Sequence, residues 1–390
     1  MMRGGGWNRR AAVLIALGVV SVAVFRGVSE GAGSKEPLDV GMVVALTGSL
    51  AGIDGPYIDG VKLAVNKVNA AGGAGGHPIQ LHIVDGASTA TTGVTVANQL
   101  LSQFKIALMI NGASSATNQA LVPIIAARQL PVISQGQLPE EPRWTFLATA
   151  AYQKHMALQL AFAARYLHAS SIAFLYSQTP YGQLGAKLLT TSAPSMGLKV
   201  VLSLAVDASA TDLSSVMAQV KDANPAAVVD FLTGSTHLVE AKGAATVGLK
   251  SPIVMGIDAT DPVSAATRAY AASYFVATPA QVYPKVTDLA QRAATKAFVD
   301  EYTQAGKDPS LIGTAGYGWD AGLMVGKAAQ AAPSISGPAL RAALETLTLQ
   351  GSESLYRFTP EDHTGQQSVP SPLVIAQVRG TALQTVYATK

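Results

Sequence analysis

The stretch Val65–Asp85, VNKVNAAGGAGGHPIQLHIVD, decides the fold. A helical apolar pattern runs into a glycine cluster and Pro78, and the next residues alternate Ile79, Leu81 and Ile83 against Gln80 and His82. A change from a period near 3.6 to a period of 2 across glycines marks a helix-to-strand turn. The glycines do not make a phosphate cradle. Such a cradle lies between a strand and the start of a helix, where open backbone N–H groups point at the anion. Here the glycines close a helix and precede a strand, and no Walker-type lysine loop occurs elsewhere.

Working outward, strands and helices alternate from Leu38 onward. Val40–Ala45 reads as a buried strand, and Asp54, Gly55 and Pro56 are start signals for a helix burying Ile58, Val61, Ala64, Val65 and Val68. After strand Ile79–Val84 come helix Thr92–Phe104, strand Ile106–Ile110, helix Ala116–Arg128 and strand Val132–Ser134. A second run begins with helix Gln153–Tyr166 and strand Ile172–Tyr176, and proceeds through helices at 182–193, 212–223 and 238–247 to strand Ile253–Met255. This rhythm predicts α/β architecture with parallel sheets covered on both faces. A third segment follows strand Tyr274–Ala277, with helical patterns at 286–302, 317–331 and 338–346, and a closing strand Leu373–Val378. Periodicity alone does not say which half that segment joins.

With 390 residues the chain is too long for one comfortable core, and two βαβα runs predict two lobes. A hydrophobic fraction of 49% with only 13% charged residues excludes a disordered chain. The net charge of +3 comes with no long basic run, so nucleic-acid binding has little support. Arg3, Arg9 and Arg10 precede an uncharged run, Ala11–Phe25, and small residues follow through Gly31-Ala32-Gly33-Ser34. That is the layout of a secretory leader over residues 1–33, with an uncleaved N-terminal anchor as the alternative because Arg26 directly ends the run. The absence of cysteine excludes a disulfide framework and a lipid-modified N-terminal cysteine.

The opening stretch, written as N-x-x-GG-x-x-G-x-x-I-x-L-x-x-x-D, resembles the leucine/isoleucine/valine-binding type of periplasmic binding protein, the type I solute receptors of ABC transporters. The likeness extends over nearly the whole chain after the first thirty-odd residues. It includes Thr47-Gly48-Ser49-Leu50-Ala51-Gly52, the Phe358, Pro360, His363 and Gly365 pattern, and Val374, Ala376, Gln377 and Val378. The resemblance implies a two-lobed fold, each lobe a parallel sheet covered by helices, with three crossovers near Ala151, Thr278 and the 350s. It assigns 37–151 and 279–355 to lobe 1, and 152–278 and 356–390 to lobe 2.

Ligands of open parallel sheets bind beyond the carboxyl ends of strands, at helix N-termini. Asn111-Gly112-Ala113-Ser114-Ser115-Ala116-Thr117 is such a loop, and its hydroxyls and amides suit a carboxylate. Ser114 or Ser115 also makes a good helix cap, and the two roles are compatible. In the resemblance, Ser114 matches the serine holding a ligand carboxylate, with Thr117 in the same motif. Ser134-Gln135-Gly136-Gln137-Leu138 matches the loop completing that site. Leu138 replaces a threonine, which leaves the amides of Gln137 and Leu138 but removes a hydroxyl. Tyr181 matches a cleft tyrosine, with local packing as its alternative. Asp258, after strand Ile253–Met255, matches the acid that pairs with a ligand ammonium, and a solvent-facing turn aspartate is the other reading. Ile53 stands where some members place a bulky residue against the ligand side chain.

Enzymatic constellations do not assemble. The six histidines lack HExxH spacing, there is no GxSxG elbow, and His155 and His168 read as solvated residues near helix ends. No cofactor or metal is expected. The expected protein is a monomeric, extracytoplasmic receptor for a small amino acid, branched-chain or related, that hinges shut and serves ABC permease subunits. An aromatic or organic acid or an amide is the alternative ligand, and ligand sensing is the alternative role. The leader reading predicts a mature chain starting close to Ser34. N-terminal sequencing of envelope material checks it, and an intact Met1 in the membrane fraction identifies an anchor instead.

Overall fold

The computed structural model describes residues 23–25, 35–136, 138, 142–256, 268–365, 372–379 and 382–388. The first sheet contains β1 (Ala23–Phe25), β2 (Leu38–Val44), β3 (Ile79–Asp85), β4 (Leu108–Asn111), β5 (Val132–Ser134) and β6 (Thr145–Leu147), in the order β1-β3-β2-β4-β5-β6. All its pairings are parallel except β1 on β3. Between these strands run α1 (Ala51–Ala70), α2 (Ala90–Gln103) and α3 (Ser115–Arg128). The predicted helix-to-strand turn lies between α1 and β3. His82, on the polar side of the predicted alternation, is buried against Phe104 with ring centroids 3.9 Å apart and bonds Asp39 at 2.7 Å. A sheet covered on both faces has no solvent side for that residue.

The second sheet has the order β15-β14-β11-β10-β9-β7-β8. Its parallel part consists of β7 (Ser171–Ser177), β8 (Lys199–Val206), β9 (Ala227–Phe231), β10 (Ile253–Met255) and β11 (Ser273–Ala277). The antiparallel strands β14 (Val374–Arg379) and β15 (Ala382–Ala388) extend it. Helices α4 (Tyr152–Ala161), α5 (Pro180–Ser195), α6 (Ser214–Ala223) and α7 (Thr236–Val247) belong to this half, and α4 ends in a π turn at Phe162–Tyr166. Among the described residues no helix is long and apolar enough to cross a membrane.

The third segment returns to the first sheet. It contains α8 (Pro279–Val282), α9 (Leu289–Gln304), α10 (Ile312–Ala331), α11 (Gly337–Leu344) and a hairpin of β12 (Thr348–Gln350) and β13 (Leu355–Arg357). Among the described elements, α10 lies against α1 more extensively than any other pair meets. The reason is a seam of small residues. A Cβ on Gly60 would overlap the Ala315 carbonyl, one on Gly318 would overlap the Tyr57 carbonyl, and one on Gly322 would sit 2.6 Å from Ala64 Cβ. α10 starts at Ile312 rather than Tyr317 because burial of Gly313 and Gly316 against neighbouring elements overrides their weak helix propensity.

Side chains fasten the crossings. Tyr356 donates its hydroxyl to Ala148 O at 3.0 Å, and His363 Nδ1 meets Pro142 O at 2.7 Å while its ring stacks on Phe146. Asp320 on α10 accepts the amides of Ser352 at 2.6 Å and Glu353 at 2.9 Å. Burial pushes the Asp320 carboxyl up to about 7 despite those amides.

Replacing Gly60 with Ala is expected to force α1 off α10 and cost about 1–3 kcal/mol, as overpacking does. Gly55→Ala, on the same helix with nothing within 4 Å of its added Cβ, is expected to be neutral or to stabilise by up to about 1 kcal/mol. Urea unfolding of the two variants beside the wild type measures the contrast.

Candidate functional site

In each sheet the strand order reverses once, between β2 and β4 in the first and between β7 and β9 in the second. Crevices open beyond the strand ends at such switch points. The two crevices share one cavity of ≈ 150 Å³, walled by loops from both sheets.

Carboxylates organise the first-sheet wall from beneath. Asp54, fully buried, accepts the Ala45 amide at 2.6 Å and the Ala113 amide at 2.9 Å, so it ties the β2–α1 loop to the β4–α3 loop. Its place in the helix-start signal is therefore only part of its role; α1 begins at Ala51, ahead of it. Asp85 takes the Leu46 amide at 2.9 Å, the Thr47 hydroxyl at 2.7 Å and the Ala87 amide at 2.8 Å. Partial burial raises its pKa, but those hydrogen bonds outweigh burial and hold it below the usual carboxylate range. Gly48, at φ +86, lets the loop turn where an added Cβ would meet Ser88. Ser49, Leu50 and Ile53 then face the cavity together with Ser88.

The predicted serine cap forms at α3. Ser114 is its N-cap, accepting the Thr117 amide at 3.2 Å, with the two hydroxyls 2.8 Å apart. Ser114, Ser115 and Ala116 line the cavity, where the first amides of a helix have no intrahelical acceptor and the positive end of the dipole points outward. Gly136 joins them from the β5 loop. A Cβ there would lie 2.6 Å from the Asn118 amide nitrogen, and the Gly136 N–H itself bonds Gly112 O at 3.2 Å. Asn118 also donates to Ser134 at 2.8 Å and to Gly112 O at 3.3 Å, locking the two loops together.

The second-sheet wall is aromatic. Tyr181, in the first turn of α5, stacks on Phe231 at 5.1 Å and meets Tyr152 edge-on at 5.0 Å. Thr179 caps α5 through the Gly182 amide at 3.3 Å. Thr179, Thr233, Tyr152, His155 and, from α10, Tyr317 also belong to the lining.

Five expected residues thus meet around one cavity: Ile53, Ser114, Ser115, Gly136 and Tyr181. Two do not. Thr117 lies behind Ser114, with its methyl against Gly93, because the N3 position of a capped helix turns inward. Leu138 lines an adjoining cavity of ≈ 680 Å³, which shares Ser115 and Tyr152 with the first. Gln137 and Asp258 lie outside the described residues.

His155 was misread as solvated. It is wholly buried on the cavity wall, and burial pushes its pKa down to about 3, so its imidazole is neutral. Neither ring nitrogen has a hydrogen-bond partner among the described residues. An unsatisfied buried polar group costs about 1–3 kcal/mol. The sequence signal was weak, since a histidine four residues into a helix announces neither burial nor exposure. Asp230, His237 and Glu240 form a second buried cluster, their ligand-type atoms within 4.8 Å of one another. The H-x-x-E spacing on α7 is its sequence mark. Burial first, and then the Asp230 charge, hold Glu240 well above the usual range, so this carboxyl keeps its proton. Asp230 accepts the Gly256 amide at 3.0 Å and faces His237 at 3.2 Å.

A family model described as periplasmic binding protein matches residues 37–382. The chain belongs to that family of solute-binding proteins. A Leu/Ile/Val-binding protein homolog 2 from Brucella abortus is 28% identical over 200 residues, covering 50% of this chain and 54% of the relative. The chain thus spans about half the length of the curated relatives it matches. The branched-chain amino acid transporter substrate binding protein LivJ from Streptococcus pneumoniae, solved with isoleucine, superposes with a TM-score of 0.77 at 20% identity, covering 91% of this chain and 99% of that one. A solute binding protein from R. palustris, solved with 4-hydroxybenzoate, gives 0.78 at 15% identity, covering 91% and 97%. At these identities the structures share the fold.

The pH response of His155 follows from its depressed pKa. The unfolded imidazole binds a proton below about pH 6.5 and the folded one only near pH 3. The unfolded state therefore holds more protons between those values, and stability falls as pH drops through that window by up to ~1.4 kcal/mol per pH unit. Urea unfolding of the wild type and His155→Phe at pH 7 and pH 4.5 checks this. The stability difference is expected to move against the wild type at the lower pH.

Proposed function

We propose that the protein is the extracytoplasmic substrate-binding component of an ABC importer, and not an enzyme. It takes a small carboxylate ligand between its lobes, closes around it and presents it to permease subunits. The lobes in this reading are 37–151 with 279–355, and 152–278 with 356–390, after a leader or anchor at 1–33. One observation carries the proposal: a single cavity has the hydroxyl-capped start of α3 on one wall and Tyr152 and Tyr181 on the other. A ligand touching both walls favours the closed state by its differential contacts there.

Ser114, Ser115 and the opening amides of α3 receive the carboxylate in this reading, with Ile53, Gly136 and Tyr181 around the ligand body. A branched-chain or related amino acid is the first ligand class, supported by the isoleucine complex and the curated relatives. A specific observation favours a second, an aromatic acid. No charged side chain lines the cavity among the described residues, and its second-lobe wall is built from rings. The 4-hydroxybenzoate complex supports that class as well.

A thermal-shift screen of the mature protein against amino acids, amides and aromatic acids separates the classes. A ligand at 100 times its dissociation constant stabilises the folded state by about 2.7 kcal/mol. For the best hit, Ser114→Ala is expected to weaken binding by roughly 1.5–3 kcal/mol, the range for a hydrogen bond to a charged group. Unchanged affinity in calorimetry, with only a lower melting temperature, leaves Ser114 as a helix cap and removes the carboxylate corner.

A further inference from the structure

Of the buried histidines in the described residues, His82, His237 and His363 each hold at least one hydrogen bond through a ring nitrogen, and His155 holds none. Its neighbours on α4 are the equally buried Met156 and Leu160, and Gln159, whose amide donates to Asp230 O and Val254 O. A leucine at this position would fill the space without an unsatisfied polar group. The residue belongs to the cavity lining, and its ring lies beneath that surface, edge-on to Tyr152 at 5.7 Å. A group left unsatisfied inside the protein, yet placed on a ligand cavity, is a group reserved for what enters.

The state of the ring selects the partner. Burial keeps the imidazole uncharged, with one nitrogen a donor and the other an acceptor. Such a ring gives no charge compensation to an ammonium or to a second carboxylate. A hydroxyl or carboxamide, which both donates and accepts, matches it. The titratable residues sharing the described cavity wall are Tyr152, Tyr181 and Tyr317, and none is acidic or basic.

We propose that His155 is a specificity-determining residue that hydrogen-bonds an uncharged hydroxyl or carboxamide on the ligand. This rests on the carboxylate reading of the same cavity. A ligand with the acid but without the second polar group leaves the imidazole unsatisfied and is disfavoured, as sites built to bond a hydroxyl reject analogues lacking it.

The test uses the mature protein, His155→Phe and His155→Gln, with two acid pairs as probes: valine against threonine, and benzoate against 4-hydroxybenzoate. Calorimetry is expected to show the hydroxylated member of at least one pair binding the wild type about tenfold or more tightly than its counterpart. His155→Phe is expected to bring that ratio close to one while still binding the plain acid, and His155→Gln to retain part of the preference. The ligand-free His155→Phe protein is expected to melt at or above the wild type, because an unsatisfied buried group has been removed. A ratio unchanged in His155→Phe, or ligand-free melting several degrees lower, makes His155 a structural residue and overturns the proposal. Should no acid of either pair bind the wild type, the carboxylate reading of the cavity fails. The ligand-free melting temperature then decides alone: a rise in His155→Phe supports a reserved polar group, and a fall rejects it.

Discussion

The close backbone approach of α1 and α10 is the constraint on which the rest depends. Gly60 and Ala64 on one helix and Ala315, Gly318 and Gly322 on the other leave no room for larger side chains. Dispersion and burial along that seam hold residues 312–331 against the first sheet, although nearly the whole second sheet intervenes in the chain. From α10, Asp320 holds the Gly351–Glu353 turn, and Glu353 reaches back to the Ala280 amide at 3.4 Å. The second and third crossings are thereby anchored to one helix. Tyr356 and His363 then brace the first crossing through Ala148 and Pro142. Three separate passages of chain become one connected joint.

The acids around the cavity are used in a consistent way. Asp54, Asp85 and Asp230 are turned inward, toward backbone amides of the loops that carry the lining residues. A buried carboxylate needs such partners to offset its desolvation. The effect is to make loop conformation rigid while leaving the described cavity wall without formal charge. Polarity at that surface comes from the α3 terminus, hydroxyls and a carboxamide.

The two walls also differ in material. The first-sheet side is small and hydroxylated, held by Asp54 and Asn118 cross-bracing. The second-sheet side is a cluster of rings, with Tyr181 fixed between Phe231 and Tyr152. Gln159 supports that side from below, donating to Asp230 O and Val254 O at 3.0 Å each.

The sequence by itself determined the alternation of strands and helices, the two-lobed α/β class and the serine cap of α3. Each of these rests on local signals: the period switch at Val65–Asp85, the serine cap, and the glycines that end helices. Boundaries moved where tertiary packing outweighed propensity, as at Ile312, and short pieces such as β6 and β12 escaped because three residues carry little periodicity. The tertiary structure decided what depends on distant chain meeting in space. It seated α10 on α1, turned Thr117 behind Ser114, moved Leu138 to the adjoining cavity and enclosed His155. A histidine near a helix start has the same local pattern in water or in a core. Only the packing of α4 against the second sheet and the cavity fixes which of the two it meets, and with that the charge it carries.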